Sequence, residues 1–67
     1  MKIIISANNC DKSVIDKLLA HIECFGDCHT INKNTITITD LDQCEADAWC
    51  ETLKYSYKCV QYEAEEE

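Results

Sequence analysis

Six cysteines and two histidines are the residues of this 67-residue chain best suited to chemistry. The tightest group is His21-x2-Cys24-x3-Cys28-His29, which offers four nitrogen and sulfur donors, the number a tetrahedral zinc site takes. Its spacing differs from the usual zinc knuckles, and Cys28 and His29 are adjacent, so in a strand they point to opposite faces. The plainer reading packs His29 in a sheet, leaves His21 on a helix surface, and expects neither metal nor cofactor. Cys10 stands apart, at the first turn of an expected helix, where the dipole lowers a thiol pKa. In a secreted chain six cysteines imply three disulfides, with the pairing open. Here the longest strongly apolar run is Ile3-Ile4-Ile5, too short for a membrane span or a signal sequence. One glycine and no proline also fit poorly with a loop-rich stapled scaffold. The reading favours free thiols in a reducing cytoplasm.

The carboxylates are the second chemical feature. Thirteen acids against six lysines give a net charge of −7, and there is no arginine. Without arginine's bidentate fork, the chain is a poor binder of DNA, RNA or phosphorylated ligands, and its natural partners are basic surfaces. Between Asn34 and Leu53 lie Asp40, Asp42, Glu45, Asp47 and Glu51, with no base among them. Acids three or four residues apart on a helix sit about 5–6 Å apart, comparable with successive phosphates on a DNA strand. Such a surface can compete for a groove that binds nucleic acid, and these five residues are the candidate partner-binding site. The plainer alternative is a solvated helix face whose acids cap and solubilise it.

These residues must be positioned by a small core. Apolar residues at 46% are enough for one globular domain spanning residues 1–67. Thr35-Ile36-Thr37-Ile38-Thr39 alternates as a strand with one dry and one wet face. Lys2 to Ala7 reads as a central strand, and Asn8 or Asn9 can cap the helix that follows. That helix is expected from about Cys10 to Cys24, with Asp11 in its first turn. Its stripe is Val14, Ile15, Leu18, Leu19, Ile22 and Phe25, and Gly26 supplies its left-handed stop. Cys28 to Asn32 is a short strand, turned by Lys33-Asn34, so that Ile31 faces Ile36 and His29 faces Ile38 toward the core. A second helix starts near Asp40 or Asp42, with Asp40 and Gln43 or Asp42 and Glu45 as a capping box. It buries Ala46, Trp49, Cys50 and Leu53 and exposes Cys44. Tyr57 to Tyr62 reads as a last strand with Val60 and Tyr62 inward, unless the helix continues to Tyr57. Residues 63–67 form a frayed acidic tail.

The order β-α-β-β-α-β is that of a ferredoxin-like α+β domain, an antiparallel sheet with two helices on one face and its first and third strands central. Its open face is expected to show Ile4, Thr35, Thr37, Thr39, Cys59 and Gln61. With that layout and length, Cys10-Asp11-Lys12-Ser13 resembles the metal-binding loop of the heavy-metal-associated domain of copper chaperones. The family binds Cu(I) through a CxxC pair there. Ser13 replaces the second thiol and Asn8-Asn9 the family's Gly-Met, so the resemblance implies a soft-metal module reduced to Cys10.

Size, acidity and a compact α/β layout also make the chain similar in general character to phage-encoded inhibitors, including anti-CRISPR proteins, several of which act as DNA mimics. This resemblance rests on no shared motif and implies an inhibitor that blocks a nucleic-acid-binding host protein in the cytoplasm. No Ser-His-Asp order, Gly-rich loop or HExxH motif points to an enzyme. No membrane or direct nucleic-acid contact is expected, and the oligomeric state stays open.

Overall fold

Ile3, Ile5, Ile36 and Ile38 are shut off from solvent, and the elements arrange themselves around that need. The computed structural model describes residues 1–66. Its elements are β1 (Lys2–Ser6), α1 (Lys12–Phe25), β2 (His29–Asn32), β3 (Thr35–Ile38), α2 (Gln43–Ser56) and β4 (Gln61–Glu65). The four strands form one antiparallel sheet in the order β2-β3-β1-β4. β1 and β3 are therefore central, as their isoleucine patterns predict. Ile3 pairs with Ile38 and Ile5 with Ile36, which joins the two dry rows into one patch. Leu18 and Ile22 of α1 and Ala46, Trp49 and Leu53 of α2 belong to the same core cluster. Lys2, Ile4, Ser6, Thr35 and Thr37 alternate with the dry positions and stay half-exposed on the other face. Fully burying each isoleucine contributes roughly 1.5–3 kcal/mol.

α1 starts two residues later than the sequence predicts. Asp11 is its N-cap in extended conformation and makes no side-chain cap bond, so neither Asn8 nor Asn9 caps the helix and Asp11 is outside its first turn. The Asp11 carbonyl instead accepts from the backbone N–H groups of Val14 and Ile15. At the other end Gly26 takes φ 72°, and its N–H returns to the carbonyls of Ile22 and Glu23. This left-handed stop aims the chain back toward the sheet.

The β2–β3 register is the expected one, with Ile31 opposite Ile36 and His29 opposite Ile38. Lys33 occupies the left-handed region at φ 57°, a conformation that a lysine seldom adopts. Ile31 is nonetheless 52% exposed, against the expectation that it reaches the core. β2 is an edge strand, with a neighbour in the sheet on one side only. α2 opens on the second of the two predicted capping boxes. The Asp42 side chain accepts from Glu45 N–H at 2.7 Å, and Glu45 Oε1 accepts from Asp42 N–H at 3.3 Å.

The C-terminal third departs most from expectation. α2 runs to Ser56, and Tyr57 is its buried C-cap rather than a strand residue. β4 begins at Gln61, so Val60 is buried just before the strand and Tyr62 is 37% exposed. Glu63 and Glu65, assigned by pattern to a frayed tail, pair with Ile4 and Lys2 of β1. Glu67 of that tail lies outside the described residues. The acidic composition hid a strand that the ladder to β1 stabilises.

The expectation of six free thiols is also corrected. Cys10 and Cys59 form a disulfide, with Cα atoms 5.7 Å apart and a separation of 49 positions in sequence. Cys59 is therefore in the loop before β4, not on the open sheet face. Cys10 follows β1 and Cys59 precedes β4, neighbours in the sheet, so two distant cysteines meet. Cys24, Cys28, Cys44 and Cys50 are free.

Replacing both Cys10 and Cys59 by serine is expected to lower stability by about 4 kcal/mol without reductant, from the entropy a crosslink of this span removes from the unfolded chain. Urea denaturation measures the loss. Thiol titration of purified wild type, mildly oxidised and then denatured without reductant, should find the four free cysteines; a count of all six would refute the pairing.

Candidate partner-binding surface

The five acids singled out in sequence are all exposed, but helix geometry divides them. Asp40 precedes α2 in the left-handed region, at φ 60°. Asp42 and Glu45 are engaged in the capping box at the positive end of the helix dipole. Asp47 and Glu51 are one turn apart on the side away from the core that also carries Cys44, and Asp47 Oδ1 accepts from Gln43 Nε2 at 3.0 Å. At 3.6 residues per turn, Glu45 lies about 160° around the helix from Asp47. The structure thus presents an outer pair, Asp47 and Glu51, and an N-terminal group on the flank nearer α1.

That flank closes a groove of about 190 Å³, lined by Phe25, Asp27, Glu45, Ala48, Trp49 and Thr52. Trp49 organises it. Its side chain is almost wholly buried, and its Nε1–H donates to Asp27 Oδ2 at 2.9 Å. A buried indole needs such an acceptor, and here the acceptor comes from the turn after α1. Phe25 meets the Trp49 ring edge-on, with centroids 5.6 Å apart and planes at 86°. Phe25 was expected in the apolar stripe of α1 but is 62% exposed, as the last residue of that helix. Sequence reasoning missed Asp27 as a site residue. The available signal was that the chain's one tryptophan, on a buried stripe, required a partner.

The four ligand candidates do not converge. His21 is half-buried on α1: its ring is 4.8 Å from Phe25 and 5.2 Å from Trp49, and Nδ1 is 3.4 Å from the Tyr57 hydroxyl. His29 Nδ1 lies 3.2 Å from the Asp27 carbonyl oxygen, while Cys24 and Cys28 are exposed. Among the described residues, no three His, Cys, Asp or Glu side chains are grouped to hold a metal ion. Burial raises the Tyr57 hydroxyl pKa. Burial first, and the Asp47 carboxylate second, raise that of the Cys50 thiol, which disfavours its thiolate. Cys44, on the outer side of the same helix, is exposed as predicted.

A second, shallower depression lies on the open sheet face among Ile4, Ser6, Gln61, Tyr62 and Glu63. Tyr57, expected to begin the last strand of that sheet, is in the core instead. No described helix is long and apolar enough to cross a membrane. Comparison with family models, curated proteins and solved structures finds no match for this chain.

Trp49→Ala is expected to cost about 3–5 kcal/mol. Trp49→Phe removes the bond to Asp27 and should cost about 1–3 kcal/mol. Urea denaturation followed by circular dichroism reads both. Equal, small losses would mean that Trp49 does not anchor the two helices.

Proposed function

We propose that this chain is a small, non-enzymatic binding protein whose acidic surface occupies a basic, nucleic-acid-binding site on another protein. The observation that carries the reading is the exposure of all five carboxylates in a stretch without a base, within a chain without arginine. Of these, Asp47 and Glu51 are the pair most available to a partner, since Asp42 and Glu45 are committed to the helix cap. A phage-type inhibitor of the anti-CRISPR kind, acting as a DNA mimic, is the form of this function that a small acidic domain serves best. The element order and the sheet order β2-β3-β1-β4 support a ferredoxin-like description of the scaffold. The reading places the protein in the cytoplasm. There a crosslink reaching the exposed Cys59 is kept open by the thiol pool, and the core must hold without it.

A second reading takes support from the same pair of cysteines. Cys59 supplies the second thiol that Ser13 withholds, so reduced Cys10 and Cys59 offer two soft ligands to Cu(I). Stoichiometric Cu(I) uptake by the reduced protein, lost in Cys59→Ser, favours this reading over the first.

The inhibitor reading is tested by labelled target DNA bound to purified CRISPR effector complexes. Wild type is expected to exclude DNA from at least one of them, most strongly at low salt. Asp47→Lys with Glu51→Lys should weaken that exclusion about tenfold or more. The fold should change little, because exposed substitutions usually cost within about 0.5 kcal/mol each. Exclusion as strong in the double variant as in wild type would remove the outer face of α2 from the mechanism.

A further inference from the structure

The groove between the end of α1 and the flank of α2 has a composition that the acidic-surface reading does not itself explain. Its floor and one wall are aromatic, from Trp49 and the exposed ring of Phe25, with Ala48 and Thr52 beside them. Its charged residues are two carboxylates, Asp27 and Glu45, and no base lines it. Each carboxylate is oriented through one oxygen: Asp27 Oδ2 by the Trp49 indole, and Glu45 Oε1 by the Asp42 backbone N–H. The groove is thus preorganised on two elements that the core holds in place.

We infer that this groove receives an arginine side chain from the basic partner, which rests on the reading of the acidic surface given above. Three properties of that side chain match. Its apolar stem lies along hydrophobic surface while its head stays polar. Its planar guanidinium stacks on an aromatic face such as the exposed Phe25 ring. The same group forms charge-assisted hydrogen bonds with carboxylates. A volume of about 190 Å³ is below the usual range of small-molecule pockets, and it suits one side chain rather than a cofactor. The groove serves as the anchor of the interface, with Asp47 and Glu51 steering from the outer face.

Trp49 is the sole tryptophan, so its fluorescence reports the groove directly. The probe is a hexa-arginine peptide, with hexa-lysine beside it. Hexa-arginine is expected to change Trp49 emission saturably, to bind more tightly than hexa-lysine, and to weaken as salt rises. Phe25→Ala should weaken binding about fivefold through loss of the stacking face. The pair Asp27→Asn with Glu45→Gln should weaken it at least as much. Both amides keep an acceptor oxygen for the indole and the helix cap, and circular dichroism verifies the fold. Binding of hexa-arginine unchanged in Phe25→Ala and in the amide pair, but lost in Asp47→Lys with Glu51→Lys, overturns the groove and leaves the acidic outer face standing. No binding of hexa-arginine at low salt overturns both. Hexa-lysine binding equally tightly overturns the choice of arginine.

Discussion

Everything in this domain depends on keeping four isoleucines dry. Ile3, Ile5, Ile36 and Ile38 form one patch only because β1 and β3 lie side by side in a register that sets each opposite another. A slip of one residue would turn that patch toward solvent and bring Ile4 with the threonines into the core. The two helices cover the patch, and their positions determine everything at the surface. Leu18 and Ile22 fix α1; Ala46, Trp49 and Leu53 fix α2; the groove is what remains between them at one end.

Much of this was legible because strong periodicity leaves few choices. The isoleucine and threonine alternation, the α1 stripe ending at Gly26, the hairpin register and the Asp42–Glu45 cap all follow from local rules that agree with the final packing. Where the sequence misled, long-range pairing outweighed composition. Glu63 and Glu65 are poor strand formers by type, yet β1 offers an open edge with unpaired backbone groups, and satisfying those decides the matter. Tyr57 carries β-propensity but closes α2, with its ring buried in the core and 6.3 Å from that of His21. The pairing of Cys10 with Cys59 was illegible for the same reason: nothing local links residues that only the sheet order brings together.

The candidate surface shows the same division. The charges could be counted from sequence, but which of them act together is a matter of angle around a helix and of what the helix packs against. Asp42 and Glu45 look like part of a continuous acidic run and prove to be a cap. Asp27, two residues before β2 begins and outside that run, is drawn into the site by the indole of Trp49. A buried donor recruited its acceptor from a turn, and in doing so set a carboxylate beside an aromatic floor.

The two outer strands face different risks of unwanted sheet growth. β4 carries Glu63 and Glu65 on the open face, so a second copy aligning along that border would bring like charges together. β2 has no such guard: its four residues, His29 to Asn32, hold no charge of fixed sign, and Ile31 stands half out of the fold. Its brevity and the tight turn at Lys33-Asn34 are then its main protection against templating another chain. Any lengthening of that border would convert a safe margin into a seed for aggregation.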